Sequence, residues 1–144
     1  MNNPRQDRPG NPGEVDSDIS RRVLVVDDNT DVADSLALLL RLEGFAARAV
    51  DSSERAMQIV QDWQPAAAVL DLNMPRTNGF ELARLLKARQ GAGCELRLVA
   101  QTGLDCELSD LRCAAAGFMA CLRKPYDIDH LVALLKQPLR GTSP

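Results

Sequence analysis

Asp27-Asp28, Asp71, Thr102 and Lys124 each come at or just past the end of a short apolar run. Taken singly they have ordinary readings. An Asp pair after a strand serves as a turn or a helix cap, a Thr fills a loop, and a Lys before a Pro lies on the surface. As a set they share one edge of whatever the apolar runs build: acids after the first and third runs, a hydroxyl after the fourth and a cation after the fifth. Three carboxylates brought together repel, and without a cation two of them are pushed toward protonation. A hard divalent ion with oxygen ligands removes that conflict. Mg²⁺ suits it because it takes few carboxylates and keeps waters and phosphate oxygens. One carboxylate can then attack phosphorus as a nucleophile. Phosphoryl transfer has a loose transition state with charge on its equatorial oxygens, so it needs positioning and neutralisation, which the ion, a Lys ammonium and a Thr hydroxyl supply.

The runs that must hold these groups read as buried strands of a parallel sheet: Val23-Leu24-Val25-Val26, Phe45 to Val50, Ala66-Ala67-Ala68-Val69-Leu70, Leu96 to Ala100 and Phe118 to Leu122. Arg97 makes the fourth the least regular. Between them lie helical stripes: Val32, Leu36, Leu39 and Leu40, with Asn29 or Thr30 as N-cap; Ala56, Ile59, Val60 and Trp63, stopped by Pro65; Leu82, Leu85 and Leu86; Leu108, Leu111 and Ala115, stopped by Gly117; and Ile128, Leu131, Val132 and Leu135, ending near Pro138. Strict β-α alternation predicts an open, doubly wound α/β sheet, since parallel strands need helical crossovers. Ligands of such sheets bind beyond the carboxyl ends of the strands, where strand order reverses.

The 144 residues suffice for one domain, and a composition 45% hydrophobic but only 3% aromatic implies an aliphatic core. A formal charge of −3 argues against direct nucleic-acid binding. No run is long enough to span a bilayer and Met1 to Arg5 does not open a secretory signal, so no membrane association and a cytoplasmic location are expected. Residues 1–20, rich in Asn, Pro, Gly and Asp, are read as a flexible N-terminal tail, 21–138 as the domain and 139–144 as a C-terminal tail. Cys94, Cys106, Cys113 and Cys121 contain no C-x-x-C pair and the chain has a single His, so they are read as small apolar fillers. That single His, His130, is expected to face solvent.

The segments VLVVDDN at 23–29, DLNMPRTNGFEL at 71–82, VAQTG at 99–103 and LRKPYD at 122–127 closely resemble response-regulator receiver domains, the phosphoacceptor modules of two-component signalling, over about residues 21–138. The resemblance implies a flavodoxin-like sheet of five parallel strands in the order 2-1-3-4-5, flanked by five helices. It implies Asp71 as phosphoacceptor, Asp28 as direct Mg²⁺ ligand, Asp27 as its acidic companion acting through water, and the backbone carbonyl of Asn73 as a further metal ligand. Thr102 matches the switch hydroxyl and Lys124 the cation that pairs with the phosphoryl group. A cis peptide is implied between Lys124 and Pro125, and Gly79 matches the turn that opens the third helix. Two positions depart from the pattern. Cys121 stands where the family has an aromatic or His that swings inward as the Thr moves, and Asn78 stands where Asp is common; Asn78 can cap a helix equally well.

The function implied is Mg²⁺-dependent acceptance of a phosphoryl group on Asp71 from a histidine kinase or histidine phosphotransfer protein. Partner binding is then switched through the fourth helix, fifth strand and fifth helix. Self-phosphorylation and slow autodephosphorylation are expected rather than conventional enzyme turnover. Only Pro138 to Pro144 follow the fifth helix, so output through non-covalent contacts is expected, with a phosphate sink or shuttle, or a receiver fragment of a hybrid histidine kinase, as alternatives. A reading from a different class is a Mg²⁺-dependent phosphohydrolase with an Asp nucleophile. Such enzymes place a second Asp two residues on as general acid, and here that residue is Asn73, which cannot cycle a proton.

Overall fold

The computed structural model describes residues 19–75, 78–90, 95–103 and 110–137. A 3₁₀ turn at Ile19–Arg21 leads into β1 (Arg22–Val26), followed by α1 (Thr30–Leu42), β2 (Ala46–Val50), α2 (Ser53–Trp63), β3 (Ala67–Asp71), α3 (Gly79–Gln90), β4 (Arg97–Thr102), α4 (Asp110–Ala115), β5 (Phe118–Arg123) and α5 (Ile128–Leu135). All five strands pair in parallel in the order β2-β1-β3-β4-β5. Order reverses between β1 and β3, which places the expected crevice at their carboxyl ends.

Alternation along each strand divides the core into two layers. Val23, Val25, Val69 and Val99 pack with Ala33, Leu36, Ala37 and Leu40 of α1 and with Leu131, Val132 and Leu135 of α5. Leu24, Val26, Ala68, Leu70, Leu98 and Ala100 face the other way, onto Ala56 and Val60 of α2, Leu82, Ala83 and Leu86 of α3, and Cys113. Every residue of the central strand β3 is buried.

Side chains that compete for backbone groups set the helix ends. Asn29 Oδ1 accepts from the amides of Asp31 and Val32 at 3.1 and 3.2 Å. Ser52 Oγ accepts from Arg55, Asn78 Oδ1 from Phe80 and Glu81, and Asp127 Oδ1 from Asp129. Gly117 follows α4 at a φ of 98°, the left-handed conformation that makes glycine the preferred stop.

Three sequence expectations need correction. The stripe of α1 is rotated: Val32 and Leu39 are 41% and 44% exposed, while Ala33 and Ala37 are buried. Small side chains let α1 lie close against the sheet, and a pattern read from large residues overlooks them. For the same reason Ala83 replaces Leu85 on the buried face of α3. The Arg97 irregularity is an end effect: it opens β4, and its Nη1 donates to the carbonyl of Leu135 at 3.2 Å. Leu108, Pro138 and, apart from Ile19 and Ser20, the expected tails lie outside the described residues, as does the side chain of Leu111. No helix among the described residues is long and apolar enough to cross a membrane.

Leu24 is fully buried and Leu42 is 74% exposed. Leu24→Ala is expected to cost about 2–5 kcal/mol through lost transfer energy and a residual cavity, whereas Leu42→Ala should stay within about 0.5 kcal/mol. Urea unfolding midpoints compare the two.

Candidate functional site

The strand ladders continue past the strands and carry the site with them. The Asp27 amide donates to Val50 O at 3.2 Å, the Leu72 amide to Gln101 O at 2.9 Å, and the Lys124 amide to Thr102 O at 2.8 Å. Backbone bonds that involve all five strands thus fix the ends that bear Asp27, Asp71, Thr102 and Lys124.

One oxygen from each of Asp27, Asp28 and Asp71 lies within 4.8 Å of the others. Asp27 and Asp71 are buried and Asp28 is exposed. The buried pair is held in the same way: Asp27 Oδ1 accepts from the Asn29 amide and Asp71 Oδ1 from the Asn73 amide, both at 3.0 Å. Each therefore turns its Oδ2 toward Lys124, whose Nζ lies 3.5 Å from Asp27 Oδ2 and 3.4 Å from Asp71 Oδ2. These are ion-pair distances, longer than the ~2.7–2.9 Å of a charge-assisted hydrogen bond. Asp27 Oδ2 is in fact buried without a hydrogen-bond partner among the described residues.

The electrostatics are correspondingly unbalanced. Burial above all, with the neighbouring Asp71 charge, pushes the Asp27 carboxyl above its ordinary value of 3.8, against the opposing pull of the Asn29 amide and of Lys124. With all three carboxylates ionised, one ammonium leaves two formal negative charges unmatched. A divalent cation fits that remainder, and an unsatisfied buried carboxylate oxygen is the donor it would seek.

Thr102 is buried at the end of β4. The Gly103 amide beyond it donates to the Asn73 side-chain oxygen, which ties the loops after β3 and β4 together. Asn73 was expected to contribute through its backbone carbonyl, and this side-chain bond was not foreseen. Gly79 opens α3, where a Cβ would come within 2.3 Å of Leu72 Cδ2. The Lys124–Pro125 peptide is cis, as the resemblance implied. Cys121 is half-buried against the α2–α3–α4 layer and Cys113 is buried, consistent with filler roles; Cys94 and Cys106 lie outside the described residues. His130 is exposed.

Two residues escaped the sequence reading. Gln101 is buried beside Asp71, its partner in the β3–β4 register, and accepts a 2.7 Å hydrogen bond at Oε1 from the hydroxyl of Tyr126. A polar residue completing an apolar run, with a Tyr directly after the cis proline, was the available signal.

Comparison with known proteins points the same way. The model of the response regulator receiver domain family matches residues 23–136. The chain is 32% identical over 126 residues to response regulator MprA of Mycobacterium tuberculosis, covering 88% of this chain and 54% of that protein. It is 38% identical over 122 residues to transcriptional regulatory protein PrrA of Mycobacterium bovis, covering 84% and 51%. The chain thus spans about half the length of these relatives. The solved structure of a CheY-like response regulator receiver domain from Methylobacillus flagellatus is 30% identical, with a TM-score of 0.71 over 81% of this chain and 96% of that one.

The raised Asp27 carboxyl has a defined consequence for stability. Between 3.8 and its higher folded value the native chain holds a proton that the unfolded chain has released. That contribution is complete below 3.8 and is lost as pH rises through the folded value. At neutral pH without divalent cation, Asp27→Asn is therefore expected to raise Tm. Thermal unfolding of the metal-free chain and variant checks this, and a lower Tm for the variant contradicts the reading.

Proposed function

The chain belongs to the response-regulator receiver family of two-component signalling, and on that premise we propose that it accepts a phosphoryl group onto Asp71 from a phosphohistidine donor in a Mg²⁺-dependent reaction. The observation that carries this reading is the meeting of Asp27, Asp28 and Asp71 around one point, with Lys124 bridging the two buried carboxylates. Asp27, Asp28, Asp71 and the backbone carbonyl of Asn73 are the groups that would hold Mg²⁺. Bound there, the ion neutralises the carboxylates and the charge gathering on the transferring oxygens.

The chain's own residues supply the remainder. The Asn73 amide occupies Asp71 Oδ1, which leaves Oδ2, on the Lys124 side, to attack phosphorus. The new O–P bond forms as the P–N bond to the donor imidazole breaks, and the imidazole departs with its electron pair and takes up a proton. Lys124 exchanges its contact with the carboxylate for one with a phosphoryl oxygen. The Thr102 hydroxyl, at the end of the neighbouring strand, donates to another. Hydrolysis of the acyl phosphate later restores Asp71.

The donor is a histidine kinase or a histidine phosphotransfer protein, and a downstream protein is contacted through α4, β5 and α5. The site is built for one phosphoryl transfer rather than sustained turnover. In place of the general acid of a phosphohydrolase stands Asn73, whose side-chain oxygen is engaged by the Gly103 amide. The chain acts in the cytoplasm, where phosphohistidine donors present their phosphoryl groups.

Incubation with Mg²⁺ and acetyl phosphate, read by intact mass, is expected to add one phosphoryl group. Asp71→Asn and chelation of the metal should each abolish the gain, and Lys124→Ala should slow it by roughly tenfold or more, the scale of losing one charged contact to the transition state. Unchanged mass in the parent chain, or phosphate on Asp71→Asn, contradicts the assignment.

A further inference from the structure

We infer that the buried Gln101 and the half-buried Tyr126 form a polar link that carries the state of Asp71 to the outer face of α1 and the Lys124–Tyr126 turn. The inference rests on the phosphoacceptor reading above and deepens it by naming the route of regulation. Gln101 pairs with Asp71 across β3 and β4, and alternation puts its side chain on the α1–α5 side of the sheet, as for Val99. Its carbonyl receives the Leu72 amide, and the carbonyl of the next residue, Thr102, receives the Lys124 amide. Movement of Thr102 toward a phosphoryl group on Asp71 therefore pulls on the backbone that carries Gln101.

The Gln101 amide is poised to respond. Its Oε1 takes the Tyr126 hydroxyl at 2.7 Å, while its Nε2 is buried without a hydrogen-bond partner among the described residues. A half-satisfied buried amide forgoes part of its hydrogen bonding, so a shift that finds the NH₂ an acceptor, at the expense of the Tyr126 bond, is decided by a small balance. The tyrosine senses the site as well. After burial, the charges of Asp27 and Asp71 raise its hydroxyl to about 12, so a change of charge at Asp71 is felt there.

The other end of the link is a surface. Tyr126 packs against the α1–α5 layer and lines an apolar groove of about 440 Å³ with Val32, Leu36, Leu39, Pro125 and Ile128. Val32 and Leu39, whose exposure broke the expected α1 stripe, belong to this groove. On β5, Cys121 offers no ring to follow Thr102, whereas Tyr126 is hydrogen-bonded to the adjoining residue. Loss or rotation of that bond lets the ring move within the groove.

The chain has one tyrosine, so ¹³C-labelled tyrosine gives ring signals from Tyr126 alone. Spectra of the full chain are recorded before and after Mg²⁺ and acetyl phosphate, with mass spectrometry of the same sample reporting phosphate on Asp71. Phosphorylation is expected to shift the Tyr126 ring signals, the Gln101 side-chain NH₂ signals and the methyls of Val32 and Leu39. In Tyr126→Phe, phosphate uptake should stay within about twofold while the Val32 and Leu39 shifts fall by about half or more, as expected when a coupling path and not the acceptor is removed. Gln101→Met removes the same bond from the other side and must give the same loss, which serves if the Phe variant does not fold. Full phosphorylation with Tyr126 unmoved, or undiminished methyl shifts in both variants, overturns the link and leaves the phosphoacceptor reading intact. A parent chain that takes up no phosphate overturns both.

Discussion

Two buried carboxylates held side by side dominate this molecule. Asp27 and Asp71 extend adjacent parallel strands at the point where strand order reverses, and each has one oxygen fixed by a backbone amide two residues on. That leaves their remaining oxygens directed at the same ammonium. Such a pair is costly in a low-dielectric setting unless positive charge is supplied. Lys124 supplies one charge, at ion-pair rather than hydrogen-bond distance. The fold therefore maintains a place where a cation, or a group arriving with one, relieves a standing repulsion.

The surrounding structure serves to keep that repulsion from relaxing. Ladder bonds continue one residue beyond β1, β3 and β5, so the ends cannot splay. The Asn73 side chain joins the loop after β3 to Gly103 after β4. Two aliphatic layers, one under α1 and α5 and the other under α2, α3 and α4, clamp the sheet from both sides. A close-packed interior transmits displacement rather than absorbing it, so a change at Asp71 has few outlets. The β4 end, linked to Lys124 and to Tyr126, is one of them.

Much of this was legible in the sequence because the signals were local. Apolar runs of four to six residues marked the strands, and each functional group stood at the end of such a run, so topology alone brought the three aspartates together. The cap residues Asn29 and Asn78 were readable from side-chain chemistry. What was missed depends on contacts between distant segments. Alanines at 33, 37 and 83 are core residues because helices approach the sheet closely there, and an alanine's burial leaves little trace in a pattern weighted toward Leu and Val. Arg97 looked like a flaw in a strand until its partner, the Leu135 carbonyl, was known. The Gln101–Tyr126 bond joins residues 25 apart, across the cis proline turn, and neither side chain announces the other.

Crystals grown with Mn²⁺ and measured for anomalous scattering decide whether acids from two strand ends share one divalent cation. A single strong peak within bonding distance of carboxylate oxygens from both Asp28 and Asp71 is the expected result. A peak elsewhere, or well-ordered Asp28 and Asp71 side chains pointing apart with no ion between them, would contradict it.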